Sequence, residues 1–138
     1  MKETKYSAMS HVGTHLVASL VLLCADFLWV YFYMGSKYKQ IVYAIQGEAM
    51  TPKWKFVVLS YVCMLVALNV ITVPLTHTWA DVFQYGSVLG FSLYSIYNGT
   101  CASVFTNFDI KNAMVDTLWG TFVYTLAGIA ALIVSLLY

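Results

Sequence analysis

Arginine is absent from this sequence, and charge of either sign is scarce. Seven lysines, six acidic residues and three histidines leave a net charge of +1. Charged residues make up 9% of the chain, against about 25% in a soluble domain. Hydrophobic residues make up 61%, and the mean hydropathy is +0.76. A chain of 138 residues is one domain at most, and 13 charged side chains cannot cover that much apolar surface in water. A water-soluble enzyme and a disordered linker are excluded. So is a nucleic-acid binder, because no basic excess faces phosphate. Cysteine is scarce too. Cys24, Cys63 and Cys101 all fall in apolar stretches, an odd count that does not suggest a disulfide framework. What remains is an integral membrane protein, with the lipid bilayer as its first partner.

A spanning helix needs roughly 20 mostly apolar residues. Four stretches qualify, at about 12–34, 56–74, 82–106 and 112–138. The expected fold is all-α, a polytopic four-transmembrane-helix bundle in which 1–138 form a single transmembrane domain. A membrane barrel would alternate polar and apolar residues, whereas Val57 to Val73 is almost unbroken apolar sequence. Gly35, Ser36, Lys37, Lys39 and Gln40 are expected to end the first span. The amphipathic run Tyr38 to Ile45 then lies along the interface. Lys53-Trp54-Lys55 anchors the second span, and Pro74 closes it. Asn107 and Asp109 are cap-type residues ahead of the fourth. Loop 2, about 75–81, and loop 3, about 107–111, are short, so neighbouring helices are antiparallel. Lys37, Lys39, Lys53, Lys55 and Lys111 fall on one side of the membrane, Lys2 and Lys5 on the other. The positive-inside rule therefore places loops 1 and 3 in the cytoplasm and both termini outside.

The two spans that carry acids share a pattern. Asp26-Phe27-Leu28-Trp29 in the first matches Asp116-Thr117-Leu118-Trp119 in the fourth. These spans run in opposite directions, which suggests an inverted repeat of two helix pairs. The same residues resemble a known family. Asp26-Phe27-Leu28-Trp29 with Tyr38 twelve positions after the aspartate, then Tyr97-Asn98-Gly99-Thr100, then Val115-Asp116-Thr117-Leu118-Trp119-Gly120-Thr121, are similar to the signature of small predicted membrane proteins grouped as domain of unknown function 2177. The likeness runs from Asp26 to Thr121. Asn98 and Cys101 depart from it, standing where the family pattern has Asp and Asn. The resemblance implies a four-span fold and membrane residence, and it implies no activity.

Asp26 and Asp116 are the leading candidates for chemistry. A carboxylate inside a span costs roughly 2.5–3.5 kcal/mol to insert, so it faces the bundle interior and takes a partner. At 1.5 Å per residue, Asp26 and Asn98 lie roughly 12 Å from the cytoplasmic end of their spans and Asp116 roughly 7 Å. Trp29, Tyr97, Thr100 and Trp119 share that half. Together these seven form a candidate intramembrane polar site. It is either a pocket for protons, cations or a small ligand, or a set of helix-to-helix hydrogen bonds in which each Asp pairs with Asn98, a Tyr hydroxyl or a Trp indole, with Lys111 within reach of Asp116. His11 and His15, four apart, share a helix face, and His77 falls on the same side of the membrane. Three imidazoles suit zinc, but no acid or thiol accompanies them, so solvated interfacial histidines are the simpler reading and no metal is assigned. Gly86 and Gly90 form a G-x-x-x-G helix-packing motif, between chains or within one.

These observations point first to a non-enzymatic membrane component with a structural or assembly role, as a homo-oligomer or as a subunit of a larger membrane complex. The alternative is a small proton or cation channel or transporter using Asp26 and Asp116. A second alternative, from the aromatic richness, is a membrane-embedded ligand- or cofactor-binding protein, although no cofactor is assigned.

Overall fold

The computed structural model of the protein describes residues 2–137, with side chains from His11 onward. Tyr138, the expected end of the last span, lies outside the described residues, as do the side chains of Lys2 and Lys5. All regular structure among the described residues is helical. The segments are α1 (Lys2–Trp29), a π-helical turn (Val30–Met34), α2 (Gly35–Gln46), α3 (Trp54–Ala67), a second π turn (Leu68–Thr72), α4 (Val73–Leu75), α5 (Trp79–Asp81), a third π turn (Val82–Ser87), α6 (Val88–Val104) and α7 (Ile110–Leu137). They join end to end, so that 2–46, 54–75, 79–104 and 110–137 are each unbroken helical rods.

The first rod corrects the sequence expectation. It does not stop at Met34, and Tyr38 to Ile45 is not a separate interfacial piece. The helix runs through Gly35 to Gln46. Gly35 is what lets it pass. In the π turn its N–H reaches back five residues to the Val30 carbonyl, and a Cβ at position 35 would sit 2.7 Å from that oxygen. The true stop is Gly47, left-handed at φ 74°, whose N–H caps the Tyr43 carbonyl at 2.9 Å. Glycine alone adopts that conformation without strain.

The shortness of loop 2 is real, and it is tighter than 75–81. Thr78 and Asp81 form a capping box that starts helix already at Trp79. The Thr78 hydroxyl, and then the backbone N–H groups of His77 and Thr78, hold the Asp81 carboxyl below the usual carboxylate range. Asp109 caps α7 through the Asn112 N–H at 3.1 Å. Asn107 does not cap. Its amide donates to the Ala44 carbonyl at 3.2 Å and ties loop 3 to the end of α2.

Three helices among the described residues are long and apolar enough to cross a membrane: His11–Gln46, Trp54–Leu75 and Ile110–Leu137. The protein is a multi-pass integral membrane protein. The 79–104 rod packs against α7 as helix, but Gln84, Ser87, Ser92, Ser95 and Asn98 dilute its apolar run.

At the core, Ala18 and Leu22 of α1 meet Val123, Tyr124, Ala127 and Ala131 of α7, with Leu68 and Val73 beside them. Small residues at 18, 127 and 131 let the two helices approach closely. The same logic joins α6 to α7. A Cβ on Gly86 would lie 3.0 Å from the Tyr124 carbonyl oxygen, and one on Gly90 would collide with the Gly120 carbonyl. The G-x-x-x-G pair thus packs within the chain. Fully buried Tyr124 donates its hydroxyl to the Met64 carbonyl at 3.0 Å, fastening α7 to α3. Met64, Leu65 and Ala67 of α3 pack against the core, although none of the helix's residues is fully buried.

Candidate functional site

Asp26 and Trp29 are three apart on α1, and Asp116 and Trp119 are three apart on α7, so each pair shares a helix face. Asp26 reaches Trp119, while Tyr38, further along the first rod, reaches Asp116. The first rod and α7 are therefore antiparallel, and the two Asp–Trp faces meet crosswise. The Trp29 and Trp119 rings stack at 4.6 Å and 6° between the carboxylates.

Asp26 is 5% exposed and gathers donors from three other helices. Its Oδ1 accepts from the Tyr94 hydroxyl of α6 at 3.0 Å and from the Trp119 indole N–H at 3.0 Å. Its Oδ2 accepts from the Tyr61 hydroxyl of α3 at 2.9 Å. Asp116, 3% exposed, accepts at Oδ2 from the Asn98 amide at 3.0 Å and the Tyr38 hydroxyl at 3.2 Å. Tyr94 and Asn98, four apart on α6, thus serve one carboxylate each. Asn98 also reaches the Thr117 hydroxyl at 3.4 Å. The buried Trp29 indole N–H makes no hydrogen bond of ordinary geometry, and Asp116 is its electrostatic neighbour.

Among the described residues, every hydrogen-bond partner of the two acids is a neutral donor. Lys111, placed in reach of Asp116 by the sequence, is exposed, and Tyr38 and Asn98 fill that role instead. Both carboxylates line one cavity of about 660 Å³, together with Trp29, Tyr38, Tyr61, Tyr94 and Tyr97. Leu59 and Cys63 of α3 and Leu93 and Tyr97 of α6 line it too and are themselves exposed, so the cavity opens on the side of the bundle between those helices.

Of the seven candidate residues, Asp26, Trp29, Asn98, Asp116 and Trp119 come together. Tyr97 stands at the cavity lip, and Thr100 is exposed and does not line the cavity. Sequence reasoning misses Tyr61 and Tyr94 as donors and finds Tyr38 only through a motif. The available signals are a lone Tyr in the apolar second span and a Tyr four residues before Asn98.

His11 and His15 line one shallow pocket on α1, with Ser19 and Asn69. His15 Nδ1 lies 2.7 Å from the Asn69 side-chain oxygen. The Asn69 amide nitrogen already donates to Ser19 Oγ and the Leu65 carbonyl, both at 2.9 Å, so His15 is the donor of that contact. His77 is exposed, with its backbone N–H on Asp81. Among the described residues no three His, Cys, Asp or Glu side chains are grouped to hold a metal. The three cysteines are free thiols.

A family model described as a predicted membrane protein (DUF2177) matches residues 11–133, most of the chain and all of the polar network. The chain belongs to the DUF2177 family. Asn98 lies inside the network, on Asp116, whereas Cys101 is paired with Tyr97 at the cavity lip. No curated protein and no solved structure matches the chain.

Proposed function

We propose that this protein is a small membrane transporter or channel in which Asp26 and Asp116 bind a proton or cation in passage, and that all four helical rods cross the bilayer. One observation carries the reading: the two intramembrane carboxylates line a single open cavity and, among the described residues, are held by neutral donors alone. Acids that serve only to lock helices belong in a dry contact. Here the oxygens are fixed by Tyr, Trp and Asn, and no lysine lines the cavity beside them. That geometry favours transport over the purely structural role. The unburied α3 face favours a second reading, in which a homo-oligomer or a larger complex covers that helix.

The test is flux in liposomes. Wild type conducts protons or a monovalent cation above empty vesicles at some pH between about 4 and 8, a range that brackets ordinary and perturbed carboxylates. Asp26→Asn and Asp116→Asn, singly, fold and lose most of that flux. Folded Asn variants with undiminished flux, or a wild type indistinguishable from empty vesicles, would overturn the proposal.

The lysine bias orients the molecule in this reading, with loops 1 and 3 cytoplasmic and both termini outside. A cysteine placed at Gln46, beside the Gly47 stop, is then labelled by an impermeant reagent from the cytoplasmic side alone. Labelling from the other side reverses the orientation.

A further inference from the structure

We propose that the cavity receives a lipophilic organic cation, an ammonium or phosphonium group on an apolar body, and admits it from the side through the gap between α3 and α6. This rests on the transport reading above and names its substrate class.

Size is the first argument. A water molecule occupies about 30 Å³ in the liquid, so a cavity of about 660 Å³ is far larger than a hydronium or a bare inorganic cation requires. It falls in the range of roughly 300–1,000 Å³ that holds drug-sized ligands. Lining chemistry is the second. A hard divalent cation such as calcium takes roughly 6–8 oxygen ligands, and no acidic or imidazole cluster of that kind exists among the described residues. The walls instead combine aromatic rings (Trp29, Tyr38, Tyr61, Tyr94) with two carboxylates, and no lysine lines them. Aromatic faces around an acid suit a bulky, weakly hydrated cation, through ring quadrupole and charge together.

The cage is also preorganised. The hydroxyls of Tyr61 and Tyr94 are tethered to Asp26, and that of Tyr38 to Asp116. A ligand therefore meets rings already in place, with little ordering left to oppose binding. The opening is the third argument. Its lips carry exposed Leu59 and Leu93, apolar residues at bilayer depth. A ligand that partitions into lipid reaches such an entrance directly, whereas a hydrated inorganic ion does not.

The experiment uses two ions of nearly equal shape and opposite charge, tetraphenylphosphonium and tetraphenylborate, titrated into the purified full-length protein in detergent micelles. Saturable one-to-one binding of the phosphonium, at least about 10-fold tighter than the borate, is the expected result. Asp26→Asn with Asp116→Asn weakens the phosphonium at least about 10-fold more. Tyr97→Leu, at the exposed lip and outside the hydrogen-bond network, weakens it by a smaller factor without disturbing the fold. Equal uptake of both ions would mean partition into apolar surface and would overturn the inference. Absence of saturable phosphonium binding overturns it as well, and if Asp-dependent proton or cation flux is present in the same preparation, the transport reading stands with a smaller ion. Selective phosphonium binding without any flux upholds the cation site and overturns transport.

Discussion

Replacing Asp26 by Ala destabilises the protein by about 2–5 kcal/mol, whereas Asp26→Asn folds with nearly wild-type stability. The difference follows from which groups are left behind. Alanine strands three donors at once, from Tyr61, Tyr94 and Trp119. A stranded buried donor costs about 1–3 kcal/mol. Tyr61 is the less buried of the two tyrosines, on the open α3 wall, and can turn to water, so the deficit comes mainly from Tyr94 and Trp119. Asparagine escapes this if its amide oxygen takes the place of Oδ1. Tyr94 and Trp119 keep their acceptor, and the new amide nitrogen faces the Tyr61 hydroxyl, which rotates to accept. The opposite flip fails, because an indole N–H cannot accept. Thermal unfolding of the three proteins in the same detergent reads this out. An alanine variant as stable as the asparagine variant would show that the network contributes nothing to the fold.

Gly90→Leu prevents formation of the native bundle. A Cβ at that position runs into the Gly120 backbone carbonyl, and the Tyr124 Cβ stands 3.0 Å from it as well. Backbone cannot swing aside as a flexible side chain can, so α6 has to leave α7. Ordinary core overpacking costs about 1–3 kcal/mol, and separating this seam exceeds that range. Parting α6 from α7 also pulls Tyr94 from Asp26 and Asn98 from Asp116. Gly99 supplies the control. It lies on the same helix, and a Cβ there would meet nothing within 4 Å, so Gly99→Leu is tolerated and adds helix propensity of a few tenths to about 1 kcal/mol. Gel filtration and melting curves separate the two. A folded, normally melting Gly90→Leu protein would show that the close approach of α6 and α7 is dispensable.

Much of the site is legible in the sequence because a carboxylate in an apolar run is conspicuous. Insertion penalty and helical spacing alone single out Asp26 and Asp116, and the repeated Asp-x-x-Trp brings Trp29 and Trp119 with them. Tyr61 and Tyr94 are not legible, for the opposite reason. The chain has eleven tyrosines, and membrane proteins use that residue widely at interfaces. Nothing local distinguishes a tyrosine that holds a buried acid from one that meets the headgroups. Gly35 misleads because glycine followed by serine and lysine has the composition of a helix end. Its purpose, admitting the Val30 carbonyl in a π turn, depends on backbone geometry that no periodicity reports. That turn carries the helix onward and brings Tyr38 to Asp116.

The sequence by itself determined the solvent, the class of structure and the two acids, because these depend on summed hydropathy and on the cost of single charges, which are properties of a chain read in one dimension. Tertiary structure alone decided which neutral groups hold those acids, that Gly86 and Gly90 face α7 rather than another chain, and that α3 stands off far enough to leave a cavity open to one side. Those outcomes depend on how closely the helices approach, which a carbonyl meeting a glycine or a hydroxyl reaching an oxygen sets across dozens of intervening residues.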